Sequence, residues 1–303
     1  MLLPAGVTVF ERGWLSANNV LLQGDGPTTL IDSGYCTHSE QTMALVRSAL
    51  AGAPLDLLIN THLHSDHCGG NAALQQAYPA LQTQIPPGHS EEVRRWDESA
   101  LTYTPTGQSC PRFRFDATLL PGTDRRLGSL DWEVHAAPGH DPHSVVLFAP
   151  AERLLISADA LWENGFGVVF PELEGISAFN EVAATLDLIE SLAPETVIPG
   201  HGPVFTHVGD ALRTARRRLD GFRNDLAKHG RYAAKVLLKF RLLEIRQVAL
   251  RELLTWADQA SYLALLHTSY GREQTFSAWL DDLIAELVSS GAAQFNGETV
   301  VNA

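Results

Sequence analysis

Cysteine is scarce in this chain: Cys36, Cys68 and Cys110 are the only three among 303 residues. An odd count in unrelated contexts offers no disulfide framework, so a small stapled secreted fold is excluded and a reducing, cytoplasmic home is expected. Long apolar runs are missing as well. Residues 1–6 carry neither a basic region nor an extended apolar core, and neither a signal peptide nor a membrane span is expected. Positive charge is short over residues 1–210, where 9 Lys and Arg face 25 Asp and Glu; residues 211–303 carry 13 against 10, and the whole chain stands at −13. Phosphate neutralisation dominates nucleic-acid affinity, so an acidic first segment disfavours a long polyanion lying across it. With 45% hydrophobic residues, the chain is long enough for a sizeable core and for two domains.

What the chain does have is histidine at metal-ligand spacing. Thr61-His62-Leu63-His64-Ser65-Asp66-His67 puts four potential ligands within six positions. The preceding apolar run 55–60 has strand length, and Gly69-Gly70 followed by Ala72, Ala73, Leu74 and Ala77 reads as a turn into a helix. The histidines therefore sit on a strand-to-helix loop, where His62 and His64 can converge on one ion while Asp66 and His67 face another, at ordinary ligand distances of about 2.0–2.2 Å. Three more residues close apparent strands: His140 in Pro138-Gly139-His140, Asp159 after the run 153–158, and His201 in Pro199-Gly200-His201-Gly202. A ligand after a buried strand, flanked by Gly or Pro, suits a site built on a rigid scaffold.

This pattern resembles the metallo-β-lactamase superfamily of hydrolases over roughly residues 7–210. The resemblance rests on the HxHxDH run, the PGH at His140, the Asp of Ser157-Ala158-Asp159-Ala160 and the PGHG around His201, with Asp32-Ser33-Gly34 matching an early turn of that family. It implies an α/β fold, a four-layered αβ/βα sandwich with metals at one edge of two packed sheets. It further implies that His62, His64 and His140 hold one divalent cation, Asp66, His67 and His201 a second, and that Asp159 bridges both. Asp66 and Asp159 are then the catalytic carboxylates, and a metal-bridging hydroxide the nucleophile, so no Ser or Cys is needed. Zinc is the first expectation for the two ions, with iron or manganese as alternatives.

Residues 1–210 thus form the expected catalytic domain and 211–303 a mainly helical second one. A helix is expected over 177–193, and beyond Pro203 further amphipathic helices over 210–228, 232–243, 248–257 and 276–288. Asn296-Gly297 between short apolar runs signals a two-residue hairpin. Helices closed by a small hairpin resemble the winged-helix tail of some β-lactamase-like proteins, including an RNA endonuclease. Arg213, Arg216, Arg217 and Arg218 are that tail's candidates for an anionic contact; a wall of the active-site cleft and a homodimer interface are its alternative uses.

Within the superfamily, glyoxalase II is the nearest comparison for the metal set, but its cysteine-glycine-basic sequence after the bridging Asp has no counterpart in residues 159–168 here. Trp162, Phe166, Val168, Val169 and Phe170 suggest an apolar wall instead. His143 is a candidate partner of the metals or of substrate. Cys68 is expected as a small buried residue, and His38, His89, His135, His207, His229 and His267 show no ligand spacing. The stretch 86–111, punctuated by Pro and Gly, is a candidate lid or an ordinary surface segment. Three functions follow. The first is a dinuclear metal-dependent hydrolase of a small-molecule ester, lactone or thioester. The second is a phosphodiesterase acting on RNA or DNA, and the third a non-heme iron persulfide dioxygenase.

Overall fold

The computed structural model describes residues 3–303, and its first two sheets arise from short strands that are largely buried. Six strands make the first sheet in chain order: β1 (Val7–Phe10), β2 (Asn19–Leu22), β3 (Thr29–Ile31), β4 (Leu57–Ile59), β5 (Gln82–Ile85) and β6 (Ala117–Thr118). β1 to β3 pair antiparallel, and β3 to β6 pair parallel. Five strands make the second: β7 (Thr123–Leu127), β8 (Leu130–Ala136), β9 (Val145–Ala149), β10 (Leu154–Ala158) and β11 (Thr196–Pro199), antiparallel except for the parallel β10–β11 pair at its edge.

Alternation along each strand assigns its side chains to layers. Val20, Leu22, Ile31 and Ile59 of the first sheet meet Trp132, Val134, Val145, Leu147, Ile156 and Ile198 of the second in one core. Leu21, Leu30 and Leu58 point the other way, onto Val46 and Leu50 of the helix Ser39–Leu50 and Leu74 of the helix Asn71–Ala77. On the far side lies the helix Phe179–Leu192, whose buried Phe179, Val182, Leu186 and Ile189 are the apolar stripe read from the sequence. The result is the helix–sheet–sheet–helix sandwich expected from the motifs. Each of these buried aliphatic side chains contributes roughly 1.5–3 kcal/mol, so the ligand loops at the strand ends are carried on a rigid frame.

The chain divides into two compact units, residues up to 97 with 110–220, and residues 98–109 with 221–303. The boundary expected after residue 210 falls inside the helix Val208–Asn224, whose continuous amphipathic pattern leaves no composition break at 220. The second unit holds the helices Leu226–Ile245, Leu250–Gln259, Ser261–Tyr270 and Phe276–Ser289, and a small antiparallel sheet of β12 (Gln247–Ala249), β13 (Ala293–Asn296) and β14 (Thr299–Asn302) in the order β12-β14-β13. The hairpin turns at Asn296-Gly297, where Gly297 has φ 61°. Three elements differ from the sequence reading. Asp225 caps a new helix by accepting the Lys228 amide at 3.0 Å, ending the first tail helix earlier. Val248 pairs with Val300 as a strand rather than starting a helix. Ser261–Tyr270 escapes the sequence reading because its apolar residues are spread around the helix rather than along one stripe. Of the stretch 86–111, the part 98–109 belongs to this second unit, with Leu101, Tyr103 and Thr106 buried. No helix among the described residues is long and apolar enough to cross a membrane.

Trp132 is fully buried between the two large sheets. Replacing it with Ala should cost about 3–5 kcal/mol through the cavity left behind, whereas Trp132→Phe, which removes fewer atoms and leaves a smaller cavity, should cost less. Denaturant unfolding followed by circular dichroism measures both; equal losses would contradict this placement of the core.

Candidate metal centre

Asp32 organises the loop that carries the first four candidate ligands. It follows β3 in a left-handed conformation (φ 57°), which Asp tolerates better than most residues. There its buried carboxylate accepts the Thr61 amide at 2.8 Å and the Thr61 hydroxyl at 2.8 Å, and lies 2.7 Å from His67 Nδ1. The Ser33 amide and the Asn60 side-chain amide both donate to the His67 carbonyl, at 2.7 and 3.1 Å. With the backbone held this way, His62 and His64 stand on the loop after β4, and Asp66 and His67 on the short helix Ser65–Cys68.

The other three candidates arrive from the second sheet. His140 lies in the β8–β9 connection with its Nδ1 2.5 Å from the Val168 carbonyl. A carbonyl only accepts, so Nδ1 carries the proton and Nε2 presents its lone pair. Gly167 is needed here because a Cβ at that position would fall 2.3 Å from the His140 ring. Asp159 follows β10, and His201 follows β11. Between them Gly200 leaves room for the carboxylate, since a Cβ would sit 2.2 Å from Asp159 Oδ1. The Trp162 indole donates to that same oxygen at 3.2 Å.

All seven residues come together. Their ligand atoms form three overlapping groups, His62/His64/His140, His62/His67/Asp159 and Asp66/His67/His201, each spanning no more than 4.8 Å. Asp159 lies between the sets, with Oδ2 3.4 Å from His140 Nε2 and Oδ1 3.4 Å from His67 Nε2. His62 Nε2 is 3.1 Å from His64 Nδ1, and His201 Nε2 is 3.0 Å from Asp66 Oδ2. A tetrahedral zinc with arms of 2.0–2.1 Å holds its ligand atoms about 3.3 Å apart, close to these spacings. Among the described residues, the buried Nε2 atoms of His67 and His140 also find no hydrogen-bond partner, an arrangement that a cation satisfies and an apolar packing role does not.

Electrostatics divide the imidazoles. Burial, together with the neighbouring His67, His64 and His140, pushes His62 well below the usual histidine range. His64 falls to about 4, through burial and His140. Both are neutral at pH 7, as ligation requires. At His67 burial also acts downward, but Asp32, Asp159 and Asp66 outweigh it and hold the ring well above its ordinary value. Burial would raise Asp159, yet His201, His67 and His140 pull it well below the carboxylate range; Asp66 is lowered by His67 and His201 in the same way. Five of the seven residues are buried, and His64 and Asp66 are half-buried, so the cluster is dry enough for such effects to matter.

Around the cluster, several residues act that no spacing pattern announces. Asn18 donates through Nδ2 to the Pro199 and Gly202 carbonyls and through its backbone amide to the Gly200 carbonyl, fixing the His201 turn. Asp141 accepts the His143 amide at 2.7 Å, and the His143 ring meets His89 edge-on at 4.6 Å; neither histidine belongs to a donor group. The same holds for His38, His135, His207, His229 and His267 among the described residues. Cys68 is buried, 3.8 Å from Cys110, a meeting that nothing in their sequence contexts signals. The tail's arginines are engaged internally: Arg213 with Asp210, Arg216 with Asp187 and Glu190 at 2.7 Å, Arg217 with Thr214, and Arg218 with the Asn164 and Phe166 carbonyls.

A family model described as the metallo-beta-lactamase superfamily matches residues 12–201. A hydroxyacylglutathione hydrolase of Anaeromyxobacter dehalogenans is 31% identical over 161 residues, 52% of this chain and 52% of that one. The acyl-coenzyme A thioesterase MBLAC2 of Homo sapiens is 25% identical over 216 residues, 64% of this chain and 77% of that protein. The solved metallo-beta-lactamase family protein TTHA1429 of Thermus thermophilus shares the fold, with a TM-score of 0.57 at 18% identity over 100% of both chains. The chain spans about half to two thirds of the length of the first curated relatives that it matches.

Geometry and charge together make the centre testable. Asp32→Asn, which keeps the left-handed backbone but weakens the hold on His67, should lower divalent-cation affinity roughly 10–100-fold with the fold intact; chelator competition measures this, and unchanged affinity would contradict the role of Asp32. Because His67 holds its proton above the ordinary histidine range, a cation must displace it, and affinity should rise with pH up to the His67 pKa. Calorimetric loading at pH 7 in buffers of different ionisation enthalpy should register at least one proton released per chain; none released would refute the assignment.

Proposed function

Because the chain belongs to the metallo-β-lactamase superfamily, we propose that it is a dinuclear metal-dependent hydrolase of a small thioester, ester or lactone. The observation that supports this reading is the gathering of seven donors into three overlapping groups, with Asp159 3.4 Å from both His67 and His140. His62, His64 and His140 would hold one cation, Asp66, His67 and His201 the other, and Asp159 would join them. Zinc comes first for both ions, with iron or manganese as alternatives. Two such cations supply a lowered water pKa and polarisation of the substrate carbonyl.

The remaining work falls to the chain's own side chains. Asp32 and the Val168 carbonyl fix the tautomers of His67 and His140, so each ring offers its Nε2. Trp162 and Gly200 set the direction of the Asp159 carboxylate. Phe170, 5.1 Å from the His64 ring and 5.8 Å from His140, helps to keep that flank dry. A thioester heads the list of substrates because two relatives are described as a hydroxyacylglutathione hydrolase and an acyl-coenzyme A thioesterase. Glutathione itself is disfavoured by the missing cysteine-glycine-basic sequence after Asp159.

The phosphodiesterase reading is less well supported, since Arg213, Arg216, Arg217 and Arg218 already have partners within the chain. The iron dioxygenase reading needs only one three-donor set and leaves Asp66, His67 and His201 without a use. A cytoplasmic setting, a winged-helix-like tail and a homodimer complete the proposal; the first is supported by the scarcity of cysteine, the second by a hairpin sheet following helices.

Mass spectrometry of protein purified without added metal should find close to two metals per chain, and a panel of esters, lactones, thioesters and phosphodiesters should show acyl cleavage. Asp159→Ala should lower the occupancy of both ions and reduce turnover at least ~100-fold, about 2.7 kcal/mol at 1.36 kcal/mol per decade. Full metal content and activity in that variant would sink the dinuclear reading, and cleavage of phosphodiesters alone would replace the substrate class.

A further inference from the structure

Residues 12–18 form a loop braced at both ends. Arg12 bonds Asn19 Oδ1 at 2.7 Å, Thr42 Oγ1 at 2.8 Å and Gln41 Oε1 at 3.0 Å. At the other end the Ala17 amide donates to the Asp66 carbonyl at 3.0 Å and the Asn18 amide to the Gly200 carbonyl at 2.7 Å, tying the loop to two of the ligand-bearing turns. Leu15, Ser16 and Ala17 are buried, but Trp14 is 55% exposed. It is not a stray surface indole, of the kind that needs no explanation. One face lies parallel to the His201 ring, with centroids 5.3 Å apart and planes 8° apart, and the Trp162 ring meets it at 5.3 Å and 74°. Trp162 stands against His201 at 5.5 Å and hydrogen-bonds Asp159. Arg218 holds the turn that carries Trp162 through the Asn164 and Phe166 carbonyls.

Both tryptophans are thus held against His201, and Trp14 keeps more than half of its surface exposed there. Indoles present a large, stiff apolar surface at small entropic cost and prefer offset or edge-on aromatic partners. We propose that Trp14 and Trp162 form a specificity corner for a flat aromatic ring attached next to the scissile carbonyl, so that the substrate class is arylacyl rather than simple alkyl. The proposal rests on the hydrolase reading for what it says of the scissile bond. The two indoles stand 5.3 and 5.5 Å, centroid to centroid, from the ring of His201, a candidate ligand of the centre.

The test uses metal-loaded protein and two inert acids of matched size, phenylacetate and cyclohexylacetate, titrated by calorimetry. An aromatic pair is worth about 0.5–1.5 kcal/mol beyond area burial, or roughly two- to twelvefold. The wild-type protein should therefore bind phenylacetate about fivefold more tightly than cyclohexylacetate. Trp14→Ala should abolish the preference, and Trp14→Phe, which keeps a flat ring, should retain at least half of it. Metal content and melting temperature are read on each variant. Equal binding of the two acids by the wild type, or a preference that survives Trp14→Ala, would overturn the proposal. So would a Trp14→Ala protein that loses metal and both acids in parallel, since Trp14 would then only support His201. A hydrolysis panel without acyl cleavage would remove the hydrolase reading while this binding preference still stood, so the two failures are distinguishable.

Discussion

The structure depends on burying carboxylates among imidazoles. Asp32 and Asp159 are buried, and Asp66 half-buried, beside His62, His67, His140 and His201. An isolated carboxylate in such surroundings would cost several kcal/mol. The cost is offset only if each oxygen has a donor or a positive partner at a fixed distance, and that requirement dictates the local backbone. It explains why Asp32 adopts a left-handed conformation to reach Thr61 and His67, and why Gly200 and Gly167 stand where a Cβ would collide with Asp159 or with the His140 ring. Burial pushes both His62 and His67 downward, and their opposite net shifts, a few residues apart, follow from their neighbours. His62 is surrounded mainly by other imidazoles, and His67 by three carboxylates.

Such a cluster is tolerable only on a frame that does not yield. Two sheets share a core between them, and each places its ligand turns at strand ends: β4 for His62 to His67, the β8–β9 connection for His140, β10 for Asp159 and β11 for His201. Backbone bonds from Ala17 to Asp66 and from Asn18 to Gly200 join the turns of one sheet to those of the other. The seven candidate ligands are therefore positioned by the packing of the whole first unit, with Asp159 between His67 and His140.

The seven candidate ligands are legible in the sequence because metal ligation demands particular residue types at short, fixed spacings, and the sandwich follows from the resemblance that those motifs carry. Trp14 and Asn18 are not legible. Their roles come from loop paths that bring residue 14 to residue 201 and residue 18 to residue 199, and no periodicity encodes such an approach. The meeting of Cys68 and Cys110 is of the same kind. In the second unit, Val248 reads as helical because it adjoins an amphipathic run, and its pairing with Val300 is a tertiary choice. The arginines of the helix Val208–Asn224 look like a basic patch in one dimension. In three, Arg213, Arg216, Arg217 and Arg218 each lie within reach of an acidic group or a polar oxygen.

The central claim is that two cations share the Asp159 carboxylate. Crystals of the metal-loaded protein, with data collected above and below the absorption edge of the bound metal, test it most directly. The account predicts two anomalous peaks about 3.5–4 Å apart, one among His62, His64 and His140, the other among Asp66, His67 and His201, each with an oxygen of Asp159 in its coordination shell. A single peak, or two peaks of which only one is bound by Asp159, would contradict it.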